Sequence, residues 1–108
     1  MASSFGIFSS ANFAGVDQGV DFRGTGPIPA LDKAVVTDVR NVPIIEGGSY
    51  PQVTYQLKGG PYRGSYVYVM ENFTPLVKKG QQLKAGEAVG IAHGSYPYVE
   101  VGFAATST

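Results

Sequence analysis

From Gly19 onward, apolar residues recur in short stretches with a period near two, each stretch bounded by Gly, Pro, Asp or Asn. This pattern predicts strands over Gly19–Phe22, Ala34–Val39, Gln52–Leu57, Tyr66–Met70, Ala88–Ala92 and Tyr98–Phe103. In Tyr66-Val-Tyr-Val-Met70 both alternating sets are apolar or aromatic, which predicts a central strand covered on both faces. The stretch Asn41–Pro51, with Pro43, Gly47, Gly48 and Pro51, reads as a long loop, and Lys58–Gly64 as a turn between two strands. No internal repeat and no charged low-complexity tract stands out.

Composition sharpens this into an all-β fold: a compact barrel-sandwich, or β-sandwich, of short antiparallel strands. The chain has 108 residues, the size of one domain, with 15 glycines and 7 prolines to make tight turns. We divide it into an N-terminal arm (1–15), one sandwich domain (16–104) and a short tail (105–108). The arm holds Phe5, Ile7, Phe8 and Phe13 among small residues and could lie across a neighbour or pack on its own domain. It carries no basic n-region and no long apolar run, so it reads as neither a secretory signal nor a membrane anchor.

Eight Lys and Arg balance eight Asp and Glu. Such a chain has no global field to draw nucleic acid or an anionic membrane surface, and neither is expected as a partner. The absence of cysteine removes disulfides, thiolate metal sites and a cysteine nucleophile.

The most specific local signal is Val77-Lys-Lys-Gly80-Gln-Gln-Leu-Lys-Ala-Gly86-Glu-Ala-Val-Gly-Ile91, in which two glycines six apart demand two tight reversals. It resembles the hairpin shared by biotinyl and lipoyl domains and by lysostaphin-type zinc peptidases, the latter a duplicated hybrid motif. The segment Asp17-Gln-Gly-Val-Asp21, followed by Gly26-Pro-Ile-Pro-Ala30 and Ala34-Val-Val, is similar to the opening of a lysostaphin-type domain: His-x-Gly-x-Asp, then a Pro-Val-x-Ala strand. Tyr68-Val-Met-Glu71 stands where that family has Tyr-x-His-Leu, and Tyr98-Val-Glu100-Val-Gly-Phe where it has His-x-His-Phe-Glu.

The resemblance covers about residues 16–104, and its departures fall on the chemistry. Asp21 matches the family's aspartate ligand, but Asp17, Glu71, Tyr98 and Glu100 replace its histidines. Zinc that activates water relies on nitrogen-rich ligation, and several carboxylates would quench its Lewis acidity. The resemblance therefore implies the fold without the zinc peptidase activity. His93, the only histidine, reads as a solvated turn residue.

If the match holds, Asp17, Asp21, Glu71 and Glu100 converge on one cleft. Four close carboxylates cannot all remain ionised unless a cation, a proton or an arginine relieves them. Three outcomes stay open. The cleft is vestigial, with Arg23, Arg63 or a neighbouring subunit neutralising it; or it holds a hard cation such as calcium, magnesium or manganese, no other cofactor being implied; or it hydrolyses a glycosidic bond through Asp17, Glu71 and Glu100, with Tyr98 orienting the substrate. Asp32-Lys33-Ala34 resembles the lipoyl attachment site, yet the preceding Pro27–Leu31 favours a two-residue turn.

Three functional expectations follow. The first is a non-enzymatic structural or assembly module, a homo-oligomer or part of a larger assembly such as a bacteriophage tail or capsid, since stand-alone sequences of this type resemble ones found in tailed phages. The second is a hydrolase of cell-wall glycan. The third is a carbohydrate-binding module using Tyr50, Tyr62, Tyr66, Tyr96 and Tyr98 as stacking platforms, against which stands tyrosine's ordinary use in strands and interfaces.

Overall fold

The computed structural model describes residues 24–45, 47–95 and 97–104, together with the backbone of 19–22. The arm, Asp17, Arg23, Tyr96 and the tail lie outside the described residues. Among the described residues there is no helix; nine strands run β1 (Gly19–Phe22), β2 (Thr25–Pro29), β3 (Ala34–Pro43), β4 (Ser49–Leu57), β5 (Tyr66–Met70), β6 (Phe73–Pro75), β7 (Gln82–Leu83), β8 (Ala88–His93) and β9 (Val99–Ala104). They form two antiparallel sheets, one in the order β1-β9-β5-β4-β3-β7 and one in the order β2-β8-β6. The all-β sandwich expected from the sequence is the observed architecture.

Alternation sets the core. Val53, Tyr55 and Leu57 of β4, Val67 and Val69 of β5, and Val99, Val101 and Phe103 of β9 turn inward. From the small sheet, Ile28, Phe73, Val89 and Ala92 complete the same buried cluster. Burying such a side chain contributes about 1.5–3 kcal/mol each, so this interior is the main source of stability. Close approach between β6 and β8 depends on Gly90, where a Cβ would lie 2.5 Å from the Phe73 ring and 2.7 Å from the Thr74 carbonyl oxygen.

The double-glycine segment makes the two reversals its spacing demands. In Lys78–Gln81 and again in Lys84–Glu87, the fourth residue's N–H donates to the first residue's carbonyl, at 3.1 and 3.0 Å. The glycine in each stands at positive φ (89° and 81°), as the third position of a type II turn requires. The side chain of the fourth residue then reaches back, Gln81 Oε1 accepting from the Lys78 N–H and Glu87 Oε1 from the Lys84 N–H. Each turn also docks on a neighbouring segment through two backbone bonds: Val36 N–H to Gln81 O with Gly80 N–H to Val36 O, and Ala30 N–H to Glu87 O with Gly86 N–H to Ala30 O. One four-residue unit is thus used twice, a local repeat that the differing side chains conceal.

Two expectations need correction. Most of Asn41–Pro51 is not a loop: Asn41, Val42 and Pro43 pair with Pro51, Tyr50 and Ser49, which carries the β3–β4 hairpin beyond the rest of the sheet. The prolines permit this because a position that pairs without exchanging hydrogen bonds asks nothing of its N–H. Pro43 has no N–H, so its pair with Ser49 must be of that type, and the two-residue alternation puts Pro51 in the same class. The second correction concerns β5, which is central in strand order yet buried on one face only; Tyr66, Tyr68 and Met70 on the other are half-exposed.

Tyr55 is fully buried, and its hydroxyl oxygen accepts the Leu31 N–H at 3.1 Å. Burial pushes its ionisation well above the ordinary tyrosine range, and the hydrogen bond from Leu31 acts in the opposite direction. Unfolded chains ionise tyrosine near about pH 10. Stability from this residue is therefore complete below that pH and falls as pH rises, by at most about 1.4 kcal/mol per pH unit. Tyr55→Phe is expected to cost about 1 kcal/mol at neutral pH by orphaning the Leu31 N–H, and to flatten the loss of stability above about pH 10. Urea unfolding midpoints of both proteins across that range check it.

Candidate functional site

Glu100 lies between inward-facing Val99 and Val101, so its side chain stands on the outer face of the large sheet. The register sets it opposite Asp21 of β1 on one side and Met70 of β5 on the other. Tyr68, two residues from Met70 on the same face, reaches across diagonally and donates its hydroxyl proton to Glu100 Oε2 at 2.6 Å. The shortness of this contact marks a charge-assisted bond that fixes the carboxylate's orientation.

Glu71 follows β5 directly. It is the one non-glycine residue at positive φ (91°) among the described residues. Its N–H donates to the Pro51 carbonyl at 3.2 Å, and its own carbonyl accepts the Phe73 N–H at 3.0 Å, closing a three-residue turn centred on Asn72. Holding a side-chain-bearing residue there costs about 1–3 kcal/mol, a strain that surrounding structure must over-determine.

Beside this turn opens a cleft of about 840 Å³, with Tyr50, Glu71, Asn72, Phe73, His93 and Pro97 among its lining residues. A directed chain of hydrogen bonds runs along it. Asn72 Nδ2 donates to the Ser95 carbonyl at 3.0 Å, which fixes the amide and turns Oδ1 toward His93 Nδ1 at 2.9 Å. A neutral His93 must then carry its proton on Nδ1, leaving Nε2 to accept from the Thr74 hydroxyl at 2.7 Å. The order hydroxyl, imidazole, orienting amide is that of an activated nucleophile. Thr74 and His93 are exposed, however, and in a water-like dielectric each such bond contributes about 0.5–1.5 kcal/mol. The chain of bonds clamps β6, β8 and Ser95 together and presents polar edges to the cleft. Sequence reasoning placed His93 at a solvated turn; it ends β8, and the cross-strand pairing that supplies its partners has no local signature.

The structure brings Glu71, Glu100 and the backbone of Asp21 to one end of the large sheet, while Tyr98 precedes β9. Asp17 and the side chain of Asp21 lie outside the described residues. Among the described residues no three His, Asp or Glu side chains come together as metal ligands. Compared with protein-family models, with curated proteins and with solved structures, the chain matches none.

Tyr68→Phe removes the donor to Glu100 and is expected to lower stability by about 1.5–3 kcal/mol, whereas Tyr68→Phe in a Glu100→Gln background should cost clearly less. A double-mutant cycle by chemical denaturation measures the difference. Asn72→Ala should release Ser95 and the His93 ring, seen as faster amide exchange at Ser95 with exchange in β4 and β5 unchanged.

Proposed function

We propose that the chain is a non-enzymatic structural or assembly module, a component of a bacteriophage tail or capsid built on a degenerate peptidase-like sandwich. The observation that carries this reading is the β3–β4 ribbon. Where β4 has β5 beside it, from Gln52 to Gln56, the hairpin is part of the sheet; beyond Gln52 the two strands ladder with each other as far as Pro43 and Ser49, with one further bond from the Glu71 N–H to the Pro51 carbonyl. At its tip Ile44 is exposed and Ile45 fully so. Two adjacent isoleucines on a projecting ribbon gain nothing for the chain's own core, and a protein partner that covers them recovers their burial energy.

The resemblance to a peptidase whose histidines are replaced supports the same conclusion. Carboxylates in those positions suit surface contacts or a hard cation better than water activation by zinc.

Replacing Ile44 and Ile45 with serine is expected to leave the thermal midpoint within about 2 °C, because neither side chain is buried, and to weaken association measured by sedimentation velocity at high concentration. The purified chain is expected to release neither reducing ends nor muropeptides from peptidoglycan. Release that disappears in Glu100→Gln would establish the hydrolase reading in place of this one.

A further inference from the structure

The chain is neutral as a whole, but its charges are sorted along the strands. Lys33 and Lys58 are joined at one end of the β3–β4 pair, where the Lys58 N–H donates to the Lys33 carbonyl at 2.8 Å. Lys84 follows Leu83, which pairs with Ala34, and so comes to the same level. Arg63 lies in the turn that closes this end, its N–H bonded to the Gly60 carbonyl. All four basic side chains are exposed, and they outnumber the two carboxylates beside them, Asp32 and Glu87. Two adjoining shallow clefts over β7, sharing Lys33, Gln82 and Leu83, run between them.

The other end holds an excess of carboxylates: Arg40 lies in the row of Gln52, Met70 and Glu100 but is bonded to Asp38 at 3.1 Å, and Glu71 and Glu100 are further acids there. Glu71 is held against Pro51, and Glu100 lies one strand away beside Met70, with Asp21 opposite it in register. Lys58 directly follows β4 and stands seven residues beyond Pro51, so the two poles are separated by roughly 23 Å at the usual strand rise. That exceeds the Debye length of about 8–10 Å at ordinary ionic strength, so an approaching molecule meets each pole separately. Ile44 also reaches the cleft that Glu71 lines, so the acidic pole adjoins the apolar ribbon.

We propose that this chain associates head to tail with further copies of itself, the acidic pole of Glu71 and Glu100 seating on the basic pole of Lys33, Lys58, Arg63 and Lys84 of the next copy. The inference rests on the assembly reading above and names its partner. A second copy is the occupant because it presents both required surfaces and adds no net charge to the assembly. Contact between two different surfaces is heterologous, so it closes into a ring or propagates as a stack instead of stopping at a two-fold dimer.

Zero-length carbodiimide coupling tests the contact directly. A Lys58–Glu71 or Lys84–Glu71 amide cannot form across roughly 23 Å within one copy, so it must join two. In a mixture of isotopically light and heavy chains, mixed-label cross-linked peptides are expected, and their absence overturns the proposal.

Charge reversal gives a second readout. Lys33→Glu with Lys58→Glu and Lys84→Glu, and separately Glu71→Lys with Glu100→Lys, should each sediment as monomer where the unaltered chain associates. The equimolar mixture of the two variants should regain association that is lost in about 0.5 M salt, where the Debye length is about 4 Å. A mixture that stays monomeric while both variants show native circular dichroism overturns the proposal, as does an unaltered chain that stays monomeric throughout. If the serine ribbon variant loses association while the charge variants keep it, assembly stands and its head-to-tail geometry falls.

Discussion

The fold depends on the paired docking of two type II turns on Ala30 and Val36. The chain leaves the small sheet after β6, joins the edge of the large sheet as β7, and returns to the small sheet as β8. Only two residues of β7 are paired with β3, too few to hold the crossing by themselves. The four backbone bonds made by Gly80, Gln81, Gly86 and Glu87 supply what the short strand lacks. They satisfy backbone groups of the buried Ala30 and Val36, and they fix the entry into β8, whose Val89 and Ala92 join the same buried cluster as Val53, Val67 and Val99. Position then propagates: β8 carries His93, β6 carries Thr74, and the turn before β6 carries Glu71 and Asn72, so the cleft inherits its geometry from the crossing.

Core packing and surface chemistry divide between the two faces of the large sheet. Its inner face is apolar, with Phe103 and a buried Tyr55 bonded to Leu31, and its outer face bears the Tyr68–Glu100 bond. Strain at Glu71 and the exposed isoleucines of the ribbon lie at one end, away from the lysines at the other. A surface with a projecting apolar tip and poles of opposite sign is suited to directional contact with a partner. Electrostatic matching of this kind governs orientation and association rate more than affinity, which in the proposed contact would come from covering the exposed isoleucines.

Much of the fold was legible from alternation and turn residues. β1 and β5 match their expected bounds, and Gly80 and Gly86 announced their reversals by spacing alone. The ribbon was concealed because prolines at 43 and 51 argue for a loop until pairing shows that neither N–H is needed. Alternation alone missed β2 and β6 for a related reason, each being an edge strand of the small sheet where Pro27, Pro29 and Pro75 are tolerated; for β2 the family resemblance implied the strand. At the site, the family resemblance implied that Asp21 and Glu100 lie close together, and the register sets these two positions opposite each other. The bond from Tyr68 to Glu100 and the Asn72–His93–Thr74 chain depend on side chains from strands distant in sequence, which no local pattern encodes.

The central claim is that this chain works by association through its own surface. Small-angle X-ray scattering of the unaltered protein, over a concentration series at low and at high salt, tests it most directly. The account predicts a maximum dimension that grows well past the 38 Å long axis of the described fold as concentration rises, and that shrinks again when salt is added. A scattering curve of one compact monomer, the same at every concentration and ionic strength, would contradict it.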